Sequence, residues 1–161
     1  MHKDYREILE RGAKKKKEFK AFLGVLAKSN SPSPRQILEV HAEVEKEINC
    51  LECANCCKTT PALVENEEFD RLAKAIGVTR SKFVQGFLEL DEDGDFVFNQ
   101  SPCRFLGPDN KCCIYEDRPN ACREYPHTDD SNFRKYQEMN LENTKICPIV
   151  VRVLEKLMKL G

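Results

Sequence analysis

Residues 50–57 read Cys-Leu-Glu-Cys-Ala-Asn-Cys-Cys, and the rest of the chain is best read outward from them. The C-x2-C step occurs twice, and a tight turn at that spacing brings two sulfurs to one side of the backbone, whose N–H groups can face them. Two such steps supply three candidate ligands, Cys50, Cys53 and Cys56. Cys57 follows directly, and adjacent side chains diverge by about 100° on a helix or point to opposite faces of a strand. The doublet is therefore awkward as two ligands of one tetrahedral ion. Either two sites exist or one of the pair is spare.

All nine cysteines fall between Cys50 and Cys147. A second group, Cys103, Cys112, Cys113 and Cys122, lies in the stretch from Ser101 to Thr128, where four prolines allow little regular structure longer than one or two turns. Cys147-Pro148 follows at a distance. Eight cysteines fill two four-thiolate sites and leave one over, which we place in the Cys112-Cys113 doublet. Metal ligation joining this irregular stretch to the first group is a natural source of its order.

Three other readings of the sulfur compete. Cys103/Cys113 and Cys112/Cys122 both have C-x9-C spacing, but these pairs overlap in one proline-broken stretch instead of occupying two helices of a hairpin. A thioredoxin-type redox pair calls for one C-x-x-C opening a helix after a strand, whereas here overlapping thiols follow a helix. Burial as small hydrophobes suits Cys113 but not three cysteines at intervals of three. Metal or cluster binding is preferred to all of them.

The N-terminal residues 1–17 scatter charges where a secretory signal needs an apolar stretch, and no run approaches the length of a membrane span. The expected location is a reducing cytoplasm, where clustered thiols more often bind metal or catalyse than form disulfides. Lys plus Arg (26) nearly balances Asp plus Glu (27), which argues against nucleic acid and anionic membrane as partners. With 161 residues, 40% of them hydrophobic and 33% charged, the chain is the size of one folded domain.

Outside the sulfur-rich region the periodicity is helical. Ile8, Leu9, Phe19, Phe22, Leu23 and Leu26 predict one long amphipathic helix over 4–28, with Lys14 to Lys17 on its solvated face. Ser33-Pro34 predicts the start of a second helix, its apolar face formed by Ile37, Leu38, His41, Val44 and Ile48. His41 is read as a satisfied core histidine, not a ligand. Pro61 to Val64 reads as extended. Glu65 to Ile76 reads as a helix with Phe69, Leu72, Ala73 and Ile76 inward and Gly77 as its stop, and Thr79 caps a short helix carrying Phe83, Val84 and Phe87. Asp91 to Asp95 has its glycine in the wrong place for a calcium loop, so a hairpin joining 87–90 to 96–98 is expected. Pro148 opens a last helix with Ile149, Val150, Val153, Leu154, Leu157 and Leu160 inward.

Beyond the spacing, Cys50-x2-Cys53-x2-Cys56-Cys57, Pro102-Cys103-Arg104-Phe105-Leu106 and the stretch Cys112-x-Ile114-Tyr115-Glu116-x-Arg118-Pro119-x2-Cys122-Arg123-x-Tyr125-Pro126 resemble the signature of the YkgJ-type CxxCxxCC cysteine-cluster family. The likeness covers about residues 50–147. It implies a small bacterial, cytoplasmic protein that chelates zinc or iron. Some longer relatives are flagellin lysine methylases, an activity not carried over because no glycine-rich loop for S-adenosylmethionine is visible here. Cys113 departs from the family pattern and is the candidate non-ligand.

The expected ligands are therefore Cys50, Cys53, Cys56, Cys57, Cys103, Cys112, Cys122 and Cys147. Cys50-x2-Cys53-x2-Cys56 with remote Cys147-Pro148 has the arrangement that holds a 4Fe-4S cluster in bacterial ferredoxins, and zinc uses the same ligands. Either centre carries net negative charge and needs nearby donors, for which Arg104, Arg118 and Arg123, with Lys58, are candidates. His127 is a weaker candidate ligand. The fold expected is mainly α with little β: a small single domain with a helical pair over 1–49, a cysteine-cluster region over 50–147 with a short hairpin, and a terminal helix over 148–161. The function expected is metal binding, with a redox or other enzyme using an iron–sulfur centre, or a metal-delivery or sensor protein, as alternatives.

Overall fold

Local capping chemistry starts two of the helices where the sequence puts them. The computed structural model describes residues 3–129 and 132–160. Its helices are α1 (Lys3–Lys14), α2 (Lys16–Leu26), α3 (Pro34–Glu47), α4 (Cys50–Cys53), α5 (Asn55–Thr59), α6 (Phe69–Ala75), α7 (Arg80–Phe87), α8 (Asn120–Glu124), α9 (Gln137–Asn143) and α10 (Pro148–Leu157). Strands β1 (Leu88–Leu90) and β2 (Phe96–Phe98) pair antiparallel, with Leu88 opposite Phe98. The chain is mainly helical, with one hairpin among the described residues. It divides into two compact units, one made of the described residues up to Cys53 and from Pro126 onward, the other of Ala54–Tyr125.

The first unit is all helix. Ser33 caps α3 through a reciprocal box: the Gln36 backbone N–H donates to Ser33 Oγ at 3.3 Å, and the Ser33 N–H donates to Gln36 Oε1 at 2.8 Å. Pro148 stands in the first turn of α10, where its missing N–H costs nothing. Most of α10 is buried, and Val150, Val151, Val153, Leu154 and Leu157 are fully enclosed. A helix apolar on nearly every side needs partners on every side, and both α3 and α1 pack on it.

Four expectations for these helices need correction. The long N-terminal helix breaks at Lys15, whose N–H is shared between the carbonyls of Arg11 (3.2 Å) and Gly12 (3.1 Å). The two halves have different partners: α1 lies on α10 and α2 on α9. Gly12 lets α1 approach closely, since a Cβ there would stand 2.6 Å from Val151 Cγ2. Lys15 leaves the solvated lysine run, donating with Arg11 and Arg152 to the buried Glu155 carboxylate at 3.1, 2.7 and 3.2 Å respectively. Burial works against that charge but is outweighed by the three donors, which hold the carboxyl down at about 2. On α3 Val40 is buried along with Ile37, His41 and Val44, while Leu38 is exposed; Leu160 lies beyond the end of α10, also exposed.

The second unit has an aromatic core. Phe69 meets Phe83 and Phe96 edge-on, Phe87 stacks on Phe83 and on Phe105, and Phe98 meets Phe105 edge-on. The extended piece before α6 joins the hairpin, with Val64 N–H donating to the Phe96 carbonyl at 2.8 Å and Phe98 N–H to that of Ala62 at 3.0 Å. Thr79 caps α7 by accepting from the Lys82 N–H at 3.3 Å. Gly77, at φ +72°, takes the left-handed turn that stops the preceding helix. The hairpin turn is held by Asp91, whose Oδ1 accepts from the N–H groups of Asp93 and Asp95.

Candidate metal centre

Each unit carries its own cysteines: Cys50, Cys53 and Cys147 in the helical one, the other six in the aromatic one. In the aromatic unit, Ala54 at φ +46° turns the chain into α5, which holds Cys56 and Cys57. Their sulfurs stand 4.0 Å apart. Two thiolates on one tetrahedral zinc, each with a Zn–S bond of about 2.3 Å, have sulfurs about 3.8 Å apart. Adjacency thus does not drive this pair apart as expected of neighbours in sequence.

The distant cysteines are brought to α5 by backbone. Cys103 N–H donates to the Cys57 carbonyl at 2.8 Å, and Ser101 Oγ donates to that of Lys58 at 3.2 Å. From Cys103 the chain turns through Gly107, bridges Leu106 to Cys112, and returns Cys113 N–H to the Phe105 carbonyl at 2.8 Å. Phe105 is buried in the aromatic core, with Cys103, Cys112 and Ile114 packed against it. The stretch therefore has a source of order besides the metal ligation expected for it. Burying a phenyl ring contributes on the order of 2–3 kcal/mol before any ligand binds.

Cys122 is placed by residues that the sequence reading passed over. Glu68, buried, accepts from the Arg71 guanidinium at 2.6 Å, from the Asn120 N–H at 2.9 Å and from the Glu65 N–H at 3.1 Å. Arg71 also donates to the carbonyl of Asp117. One carboxylate thus fixes the start of α8, the helix that carries Cys122. An acidic residue at the first turn of the preceding helix was the only available signal, and it reads equally well as a solvated one.

Charge within this group is shared. Burial pushes the Cys122 thiol up to about 12, and Cys57, Cys103 and Cys112 add to the rise. Burial likewise raises Cys103 and Cys112, opposed at Cys103 by the backbone N–H groups of Phe105 and Leu106 and at Cys112 by that of Ile114. Cys57 goes the other way, to about 7, through its hydrogen bond with Cys56, its own N–H and Lys58. In the helical unit burial raises Cys147 to about 12, with Cys50 and Cys53 adding to the effect and the N–H groups of Val150 and Ile149 opposing it.

Of the three arginines expected to support a centre, Arg118 lowers both Cys112 and Cys122. It lies over the Tyr115 ring, 3.8 Å from the centroid. Arg104 turns instead to the end of α7, donating to the Gly86 carbonyl at 3.0 Å and covering Phe87. Arg123 ties the carbonyls of Arg118 and Glu116, bracing the loop ahead of α8. His41, in the helical unit, is a satisfied core residue: Nδ1 meets Thr128 Oγ1 at 2.8 Å and Nε2 meets Glu45 at 3.3 Å. His127 lies edge-on to Tyr136 in the same unit.

A family model named CxxCxxCC and described as "putative zinc- or iron-chelating domain" matches residues 49–148. The chain belongs to the CxxCxxCC family. No curated protein and no solved structure matches it. The donor chemistry here fits the family description: soft thiols, backbone N–H groups that favour thiolates, and a guanidinium beside them. Among the described residues, however, no group of three or more His, Cys, Asp or Glu side chains is drawn closely enough together to hold an ion. The thiols are gathered but not converged. No helix among the described residues is long and apolar enough to cross a membrane.

Proposed function

We propose that this CxxCxxCC protein binds a thiolate-held metal, an iron–sulfur cluster of the 4Fe-4S type or Zn2+, using Cys50, Cys53, Cys56, Cys57, Cys103, Cys112, Cys122 and Cys147 as its ligand pool. The reading is supported chiefly by the backbone hydrogen bond between Cys103 and Cys57, which draws together cysteines 46 positions apart in sequence. Buried thiols that raise one another's pKa are costly to ionise, and a bound cation offsets that cost. Such a site requires a reducing compartment, which we take to be the cytoplasm.

Anaerobic purification with metal analysis and a visible spectrum tests this. Stoichiometric iron with a sulfide-to-iron visible band supports the cluster; a colourless, zinc-loaded protein supports zinc and excludes electron transfer. Metal-free protein that is unaffected by strong chelators and still melts sharply overturns the proposal. Cys53→Ser and Cys122→Ser are expected to lose metal.

A metal-delivery or sensing role is the second reading. It is favoured by Cys50, which is exposed and lines an open cavity of about 650 Å3 with Tyr5, Glu47, Asn49 and Glu52. A ligand reachable from solvent can pass metal on by exchange.

A further inference from the structure

We infer that Tyr5, far outside residues 49–148 of the family match, is a positioning residue for the first C-x2-C step: its hydroxyl locks the turn that carries Cys50 and Cys53. The inference rests on the thiolate reading above in taking these two cysteines as ligands.

Helix α4 is a single turn, Cys50–Cys53, and fixing one isolated turn costs more than its own hydrogen bonds return. Neighbouring groups must hold it. Asn49 supplies the first layer: its carbonyl accepts from the N–H groups of Glu52 and Cys53, both at 3.1 Å, and its Oδ1 accepts from the Leu51 N–H at 3.0 Å. Those contacts are local and leave Asn49 itself to be fixed. Tyr5 does this from α1. Its phenol oxygen accepts from the Asn49 N–H at 3.1 Å, and its O–H donates to Glu52 Oε2 at 3.3 Å. Asn49 Nδ2 donates to the other Glu52 oxygen at 3.3 Å. One hydroxyl, acting as both donor and acceptor, thus closes a ring with the residue before Cys50 and the residue before Cys53.

The ring is reached because of how α1 is seated. Tyr5 and Gly12 are the buried residues of α1, and their spacing of two turns puts them on one face. Gly12 sets that face against Val151, and Arg11 pairs with Glu155 beside it. Docking α1 calls for the Tyr5 ring alone, which is 8% exposed. The hydroxyl adds nothing to that packing, and both of its partners adjoin the first cysteines.

Tyr5→Phe removes the hydroxyl and keeps the ring. In the reduced, metal-free full chain, brief exposure to iodoacetamide followed by peptide mass spectrometry gives a rate for each cysteine. Tyr5→Phe is expected to raise the rate at buried Cys53 about tenfold or more, since two hydrogen bonds no longer oppose local opening, and to leave Cys113 unchanged. Zinc affinity, read by competition with a chromophoric chelator, is expected to fall in the same variant. Ser33→Ala, which weakens the start of α3 without touching the ring of bonds, controls for general destabilisation and is expected to move neither readout. Should Tyr5→Phe fail to fold, Glu52→Gln, which loses one carboxylate contact, carries the same comparison with a smaller rise. An unchanged Cys53 rate, an equal rise in Ser33→Ala or an unaltered zinc affinity overturns the inference. Wild-type protein that takes up no zinc overturns the thiolate reading instead, and the Cys53 rate still decides whether Tyr5 holds the turn.

Discussion

In the helical unit the buried side chains are aliphatic and arrive at helical intervals, and its most buried charge, Glu155, is matched by three cations from Arg11, Lys15 and Arg152. In the unit from Ala54 to Tyr125 the core is a chain of phenyl rings, and the loops resting on it carry thiols that repel one another when ionised. The first unit compensates its internal charge from within the chain. The second leaves most of its latent charge uncompensated, with Arg118 the cation acting on two of its thiols. Buried groups of like charge without sufficient counter-charge are typical of a site waiting for a ligand, because stability alone gives no reason to gather them.

Four substitutions would break or sharpen this contrast. Phe105→Ala removes the ring on which the cysteine loops rest and is expected to cost about 3–5 kcal/mol in denaturant titration. An equal cost in metal-loaded and metal-free protein would mean that the ring and the metal order the loops independently. Glu155→Gln should cost about 1–2 kcal/mol, a figure kept low because Arg11 and Lys15 are partly solvated. Its pH dependence has a definite sign. The folded-state pKa of about 2 lies below the ordinary 4.5, so the contribution is complete above pH 4.5 and fades as pH falls towards 2. Acid titration of wild type against the variant should therefore converge at the low end.

Smaller effects test the local rules. Ser33→Ala deletes the hydroxyl of the α3 capping box and is expected to cost about 1 kcal/mol, measured as a fall in melting temperature. Cys113→Ser should change stability by less than about 0.5 kcal/mol and leave metal content unaltered. A loss of metal there equal to that of Cys122→Ser would show that Cys113 had been wrongly taken as the non-ligand.

How legible each element was in the sequence depended on where its determinants lie. Ser33, Thr79, Gly77 and the Asp-Gly turn act on their immediate neighbours, so the elements they start or stop could be read directly. The break at Lys15 depends on α1 and α2 having different partners, and no window of sequence contains those partners. Helix α9 escaped notice for another reason: its buried residues, Asn140 and Asn143, are polar, so hydrophobic periodicity gives no signal. Asn140 is accommodated by donating to the Phe133 carbonyl at 2.9 Å.

The candidate site divides in the same way. Spacing singled out the sulfurs, and the Cys113 departure was legible from the family pattern. Where the backbone carries them was not, because one hydrogen bond from Cys103 to Cys57 and one buried carboxylate at Glu68 depend on residues far apart in sequence. The arginines look alike in sequence, each a few residues from a cysteine; only the positions of Gly86, Tyr115 and Glu116 determine where each guanidinium ends.

The contact between Gly12 and Val151 leaves no room for even a single methyl group. Alanine is ordinarily the safest replacement in a helix, better than glycine by roughly 1 kcal/mol. At position 12 that preference is set against a steric overlap with a β-branched neighbour that has little rotational freedom. Anyone stabilising this protein by swapping helical glycines for alanine should therefore begin at Gly24, which has open space around it, and leave position 12 alone.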